Sequence, residues 1–225
     1  MFSAAVFDMD GLLIDSERTI MNTWIAVARE LGITLLPSDY VRIIGRSLRE
    51  CHVMLAEMLG SEAVFSEART RVRAQLTEPQ AGPLFPLKSG AADLLASLAR
   101  AGIPCAVASS SGREEIELRL RRVGVLPFFR AIAGGDEVAR GKPDPAVYRL
   151  AAERLGAPAA HCLAFEDSEN GIRAAVDAGM AVVAVPDLKA PTDEIAALSL
   201  HVLAQLDDAL AHVPAWFGPR ASVAA

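Results

Sequence analysis

Apolar residues along this chain fall into two patterns. Short unbroken runs end in polar or acidic residues. Ala4-Ala5-Val6-Phe7 stops at Asp8, Cys105-Ala106-Val107-Ala108 at Ser109-Ser110-Ser111, and Cys162-Leu163-Ala164-Phe165 at Glu166-Asp167-Ser168. A fourth run, Ala181 to Val185, ends in Pro186-Asp187. Short runs without alternation predict strands buried on both faces. Between them, apolar positions recur at helical spacing from Ser89 to Ala101, Arg113 to Val123, Asp144 to Leu155 and Ser168 to Ala178. Each helical stretch stops at a glycine (Gly102, Gly124, Gly156 or Gly179), which suits the left-handed position after a helix. Asp144 is expected to cap its helix, with Pro145 in the first turn.

Strands that alternate with helices predict a parallel sheet with crossover helices. The stretch from about Ser16 to Gly82 breaks this alternation. It has helical periodicity and no strand pattern, and Ser47-Leu48-Arg49-Glu50 reads as a capping box. Pro79, Gly82, Pro83 and Pro86 then crowd together as in a linker. The expected fold is therefore α/β: a Rossmann-like parallel sheet flanked by helices, with an all-helical segment inserted after the first strand. Residues 1–15 and 83–225 would form the sheet domain and residues 16–82 the helical cap. The tail from Pro214 to Ala225 is expected to be frayed or loosely docked.

Composition narrows the function classes. The chain has 225 residues, 52% hydrophobic and 22% charged, which fits packed globular structure and excludes a disordered chain. A net charge of -6 and the absence of a lysine or arginine run argue against a nucleic-acid partner. No apolar run is long enough for a membrane span, and Asp8 and Asp10 interrupt the N-terminal apolar stretch, unlike a signal peptide. Cys51, Cys105 and Cys162 are odd in number and widely spaced, as in a reducing compartment. A cytoplasmic protein, monomeric or weakly dimeric, is expected.

In parallel sheets ligands bind beyond the carboxyl ends of the strands. Three of the four expected strands end there in polar or acidic clusters. Asp8 and Asp10 taken alone also fit a turn or a helix cap. Joined by Glu166 and Asp167, they would repel one another strongly, and Mg²⁺, a hard cation that takes oxygen ligands, relieves that repulsion. A metal in such a cluster commonly serves phosphate chemistry. Lys142 is then a candidate positive charge for a phosphoryl group, or else a solvated loop lysine. Ser109 offers a hydroxyl and Ser110 a backbone N–H near a helix start, or the three serines form an ordinary strand-to-helix turn. No glycine pattern matches a Walker loop or a dinucleotide fingerprint.

Together these segments resemble the haloacid dehalogenase-like hydrolases. Phe7-Asp8-Met9-Asp10-Gly11-Leu12-Leu13-Ile14-Asp15-Ser16 is similar to the first motif of that family. Ser109 after its strand is similar to the second, Lys142 to the third, and Glu166-Asp167-Ser168-Glu169-Asn170-Gly171 to the fourth, all in family order. The helical insertion resembles the subgroup of beta-phosphoglucomutase and the phosphoglycolate and sugar-phosphate phosphatases. The resemblance implies Asp8 as nucleophile, forming an aspartyl-phosphate, and Asp10 as general acid and base. It implies Mg²⁺ held by Asp8, the Asp10 carbonyl and Asp167, with Glu166 ligating or supporting, and the phosphoryl oxygens held by Ser109, the Ser110 amide and Lys142. The second acidic residue, Asp10, favours phosphorus over carbon as the target.

The implied substrate is a small phosphorylated metabolite, a sugar or sugar-acid phosphate. In the cap, Arg46 and Arg49 would meet a carboxylate or second phosphate, or lie on a solvated helix face. Arg69, Arg71 and Arg73 read as surface charges. A phosphosugar mutase is the alternative with the same chemistry. Ile20 stands where the mutase has a hinge histidine, and Gly112-Arg113 where it has lysine and asparagine, so both departures favour hydrolysis. Phosphonate hydrolysis would need a cap lysine, and Lys88, Lys142 and Lys189 all lie outside the predicted cap. A non-catalytic protein that binds phosphorylated ligands is the alternative of another class.

Overall fold

Six strands form one parallel sheet in the order β3-β2-β1-β4-β5-β6. They are β1 (Ala4–Phe7), β2 (Cys105–Ala108), β3 (Phe129–Ala133), β4 (Cys162–Glu166), β5 (Ala181–Ala184) and β6 (His201–Val202). The structure is a computed structural model, and it describes residues 1–44, 48–77 and 85–218. The helices are α1 (Ser16–Glu30), α2 (Pro37–Val41), α3 (Leu48–Met58), α4 (Glu62–Thr77), α5 (Ala91–Arg100), α6 (Arg113–Arg122), α7 (Ala146–Leu155), α8 (Glu169–Asp177), α9 (Asp193–Ala196) and α10 (Val213–Phe217). The four apolar runs read from the sequence are β1, β2, β4 and β5. The sequence pattern did not expose β3 or β6.

The chain forms two compact units, Met1–Ile14 with Pro86–Ala225, and Asp15–Phe85. In the second unit the described residues form α1 to α4 only. Their apolar faces meet around Trp24, stacked on Phe65 with ring centroids 5.9 Å apart, and the buried Val27, Leu55, Ala68 and Val72.

In the first unit, strand alternation explains the position of the site. Side chains point alternately to the two faces of a sheet. Ala4, Val6, Cys162, Ala164, Val182 and Ala184 face one side and pack against Val147, Tyr148 and Ala151 of α7 and Ile172 and Ala175 of α8. The small residues on this face let the helices approach closely. Phe7 and Phe165 are paired in register, and their rings stack at 4.7 Å. The next residues, Asp8 and Glu166, therefore emerge side by side, with the Asp8 N–H donating to the Phe165 carbonyl. Sheet order reverses direction between β1 and β4, the position where open α/β sheets bind ligands.

Two expectations need correction. Helix α7 begins at Ala146, not Asp144. The Asp144 carboxylate accepts from the Ala146 N–H at 3.0 Å, and Asp144 and Pro145 form the turn before the helix. The tail is also docked as far as Phe217, and its residues 219–225 lie outside the described residues. Trp216 and Phe217 are buried, the Trp216 ring meets Phe165 edge-on, and its carbonyl accepts from Phe2 N–H. Arg46 and the Ser47 end of the expected capping box lie outside the described residues.

Candidate active site

Asp8, Glu166 and Asp167 meet at the ends of β1 and β4. Each offers a carboxylate oxygen, and these oxygens lie within 4.8 Å of one another. All three residues are buried. Lys142 reaches them from the loop before α7. Its Nζ donates to Asp8 Oδ1 at 2.5 Å and to Glu166 Oε1 at 2.6 Å. It also lies 4.9 Å from the centre of the Tyr148 ring. Lys142 is thus a buried cation between two carboxylates, not a solvated loop lysine.

Five hydrogen bonds hold Glu166. Its Oε1 accepts from Lys142 and from the Tyr148 hydroxyl at 2.8 Å. Its Oε2 accepts from the Asp167 N–H at 2.9 Å and from the Ser168 N–H and hydroxyl, each at 3.0 Å. The same Ser168 hydroxyl caps α8 by accepting from Gly171 N–H. Burial raises the Glu166 carboxyl, but Lys142 and these donors outweigh it and hold the group below its ordinary range. Burial likewise opposes the charge on Lys142, and Asp8 with Glu166 outweighs it, keeping the ammonium well above its usual value. Asp8 goes the other way. Burial pushes it up to about 7, past the pull of Lys142, and repulsion from Glu166 and Asp10 adds to the rise.

Two glycines make room for this cluster. Gly11 has φ +84°, and a Cβ there would lie 2.2 Å from Asp167 Oδ2. A Cβ on Gly171 would lie 1.7 Å from Glu166 Oε1. Gly171 sits in α8, where alanine has the better helix propensity by about 1 kcal/mol. Overpacking costs about 1–3 kcal/mol and would displace a buried, fully bonded carboxylate. Gly171→Ala is therefore expected to lower stability despite the propensity gain, by several degrees in a thermal melt, and to cut activity. An unchanged melting temperature would refute the tight contact.

The remaining expected site residues are placed as follows. Ser109 is buried, and its Oγ accepts from Ser111 N–H at 3.1 Å. Ser110 follows it and is exposed. Asp10 turns its side chain toward the β2 edge, where Oδ2 accepts from the Ser111 hydroxyl at 2.9 Å and Oδ1 from Arg119 at 2.5 Å. Arg49 is exposed on α3. Arg69, Arg71 and Arg73 are also exposed, with Arg71 paired to Glu67 and Arg69 over the Phe65 ring. Sequence reasoning missed Tyr148 and Arg119, which meet their partners only through the fold.

The acids supply only oxygen donors, and three carboxylates face one ammonium, an excess of negative charge that suits a hard divalent cation. The missing Cβ at Gly11 lets the Asp167 carboxylate lie against the turn after Asp8.

A family model described as haloacid dehalogenase-like hydrolase matches residues 2–179. The phosphorylated carbohydrates phosphatase of Thermotoga maritima is 32% identical over 177 residues, 79% of this chain and 82% of that protein. The validoxylamine A 7'-phosphate phosphatase of Streptomyces hygroscopicus subsp. limoneus is 32% identical over 182 residues, 80% of this chain and 84% of that one. Among solved structures, a HAD family hydrolase from Deinococcus radiodurans with bound phosphate and sodium superposes with a TM-score of 0.81. It is 27% identical, and the match covers 98% of this chain and 99% of that one.

Proposed function

Because the chain belongs to the haloacid dehalogenase-like hydrolases, we propose that it is a Mg²⁺-dependent phosphatase acting on a small phosphorylated metabolite, a sugar or sugar-acid phosphate. The observation that carries this reading is Asp8. It is a buried carboxylate at the switch point of a parallel sheet, 2.5 Å from a buried ammonium and beside two further acids. Relatives named as phosphatases of phosphorylated carbohydrates and related compounds support the substrate class.

Asp8 and Asp167 would hold the cation with the Asp10 carbonyl. Glu166, whose oxygens already accept five hydrogen bonds, suits a supporting role better than ligation. Bound there, Mg²⁺ supplies positive charge that offsets the clustered carboxylates and the phosphoryl oxygens. One Asp8 oxygen forms a bond to phosphorus as the bond from phosphorus to the leaving oxygen breaks. Asp10 gives its proton to that oxygen, releasing the alcohol. Water then attacks the aspartyl-phosphate, Asp10 takes a proton from it, and Asp8 leaves with its electron pair. Lys142, the Ser109 hydroxyl and the Ser110 N–H hold the phosphoryl oxygens throughout, so most of the work is positioning and neutralising charge. Arg49, exposed on α3, is the described candidate for a second anionic group of the substrate.

The direct test is phosphate release from a panel of sugar, sugar-acid and aryl phosphates. Release is expected with Mg²⁺ and is expected to stop with chelator. Hydrolysis that persists undiminished in chelator would sink the proposal.

A second expectation concerns pH. Burial pushes the Asp8 carboxyl in the folded protein up to about 7, while an unfolded aspartate releases its proton near 3.8. The folded state thus binds more protons between those values, and its stability falls as pH rises through that window. Mg²⁺ binds the deprotonated acids, so the stabilisation it gives grows over the same range. Melts of metal-free and Mg²⁺-loaded protein from about pH 5 to about pH 8 should diverge as pH rises. Parallel curves would contradict the Asp8 assignment.

A further inference from the structure

Asp10 lies just outside the Lys142 cluster, and its environment carries an inference that rests on the phosphatase reading above. The backbone around it is tied by its own turn. Gly11 N–H donates to the Ile14 carbonyl, and the N–H groups of Leu13 and Ile14 both donate to Met9. These bonds fix where the Asp10 Cα sits but leave the direction of its carboxyl open. That direction is set from elsewhere in the chain. Ser111, after β2, donates its hydroxyl to Oδ2, and Arg119, on α6, donates Nη1 to Oδ1. Both Asp10 oxygens are thereby held, and with them the plane of the carboxyl.

Arg119 is itself held in place. Its Nη2 donates to Glu115, one helical turn earlier on α6. The guanidinium is 20% exposed and Asp10 29% exposed, so water screens this pair only in part. A guanidinium has a rigid, planar set of donors, and one anchored on a second acid presents a fixed edge to the first.

We infer that Arg119, braced by Glu115, is a positioning residue that aims the Asp10 carboxyl for its proton transfers. Arg119 occupies Oδ1. Among the described residues Oδ2 meets only the rotatable Ser111 hydroxyl, so it is the oxygen placed to exchange a proton with the leaving oxygen and then with water. A group that transfers protons must come within about 3 Å of its partner in a suitable direction. Misplacing a reacting group by about 1 Å costs on the order of 10²-fold in rate.

The experiment compares Arg119→Met, Arg119→Lys, Asp10→Asn and the double variant Asp10→Asn/Arg119→Met, all in the full chain with Mg²⁺. Met keeps most of the apolar stem and removes the fork. On an alkyl phosphate, Arg119→Met is expected to lower kcat by roughly 10- to 100-fold with KM changed less than about threefold, and Arg119→Lys to recover part of that loss. On 2,4-dinitrophenyl phosphate, whose leaving group needs no proton, Asp10→Asn is expected to retain measurable phenol release in the first turnover, the step that does not use Asp10 as a base. There, adding Arg119→Met to Asp10→Asn should cost less than about twofold, because a residue that acts through Asp10 has nothing left to aim.

The inference is overturned if Arg119→Met has the kcat of the unaltered protein while Asp10→Asn is crippled. It is also overturned if Arg119→Met costs the same factor with Asp10 present and absent, the mark of a merely structural role. Should Arg119→Met melt too early to assay, Arg119→Lys carries the same comparison. If Asp10→Asn itself turns over alkyl phosphates normally, the assignment of Asp10 fails, and the inference fails with it.

Discussion

Asp8→Asn is expected to lower phosphate release by roughly four orders of magnitude or more, the scale seen when a covalent nucleophile is removed, while the protein remains folded. Asparagine has nearly the same shape. Its side-chain oxygen can still accept from Lys142, and the backbone bond from residue 8 to the Phe165 carbonyl does not involve the side chain. What is lost is the anionic oxygen that bonds to phosphorus. Stability should not fall. Burial and repulsion already push Asp8 up to about 7, so the metal-free variant at neutral pH should melt no lower than the unaltered protein. The rise in melting temperature on adding Mg²⁺ should shrink, since one of the expected ligands has gone. Kinetics on an aryl phosphate and paired melts check both halves. Activity within tenfold of the unaltered enzyme would remove Asp8 as nucleophile.

The sequence made the centre of this site legible for a specific reason. A buried strand in a parallel sheet must be apolar on both faces, so the first polar or acidic residue at the end of the run marks the strand's carboxyl end. The apolar runs stop at Asp8, Ser109 and Glu166, two acids and a hydroxyl, and the order of strands brings the ends of β1, β2 and β4 together. The glycines after the helices were legible because a positive φ is needed there, as at Gly156, φ +67°.

Other features depend on distance in the chain or on context. Strand β3 opens with Phe129 and Arg130 on the sheet edge and follows a short helical turn, so it lacks an unbroken apolar run. Strand β6 has two residues, too few for any period. Tyr148 looks like any core residue of an amphipathic helix. Its hydroxyl matters only because α7 crosses the sheet face on which Glu166 emerges, 18 residues later. Arg119 and Asp10 are 109 residues apart, and charge at helical spacing on α6 reads only as a Glu115–Arg119 surface pair. The tail did carry a signal. Trp216 and Phe217, adjacent aromatics, announce burial more strongly than the nearby Pro214 announces disorder.

Lys142→Met tests the electrostatic logic of the whole cluster. The lysine side chain is only 6% exposed and lies between Asp8 and Glu166. Met fills similar volume without charge, so packing changes little. Removing one partner of a buried charge group costs about 3–5 kcal/mol, because the opposite charge is left uncompensated. The two acids should not suffer equally. Glu166 keeps the Tyr148 hydroxyl, two N–H groups and the Ser168 hydroxyl. Asp8 loses its 2.5 Å bond to the ammonium, the main influence opposing its burial. It should therefore take up a proton more readily than it already does, and most of the penalty should be felt only where it is ionised. The loss of stability is expected to be large above neutral pH and small in mild acid, the sign required of a carboxyl raised further above its unfolded value. Mg²⁺ should restore more stability to this variant than to the unaltered protein, since a cation returns to acids that have lost theirs. Turnover should still fall by roughly 10²- to 10³-fold, because the lost ammonium also faces charge on the phosphoryl group. Melts at two pH values with and without Mg²⁺, together with kcat, separate these effects. A variant destabilised equally at both pH values would show that Lys142 serves packing and not charge.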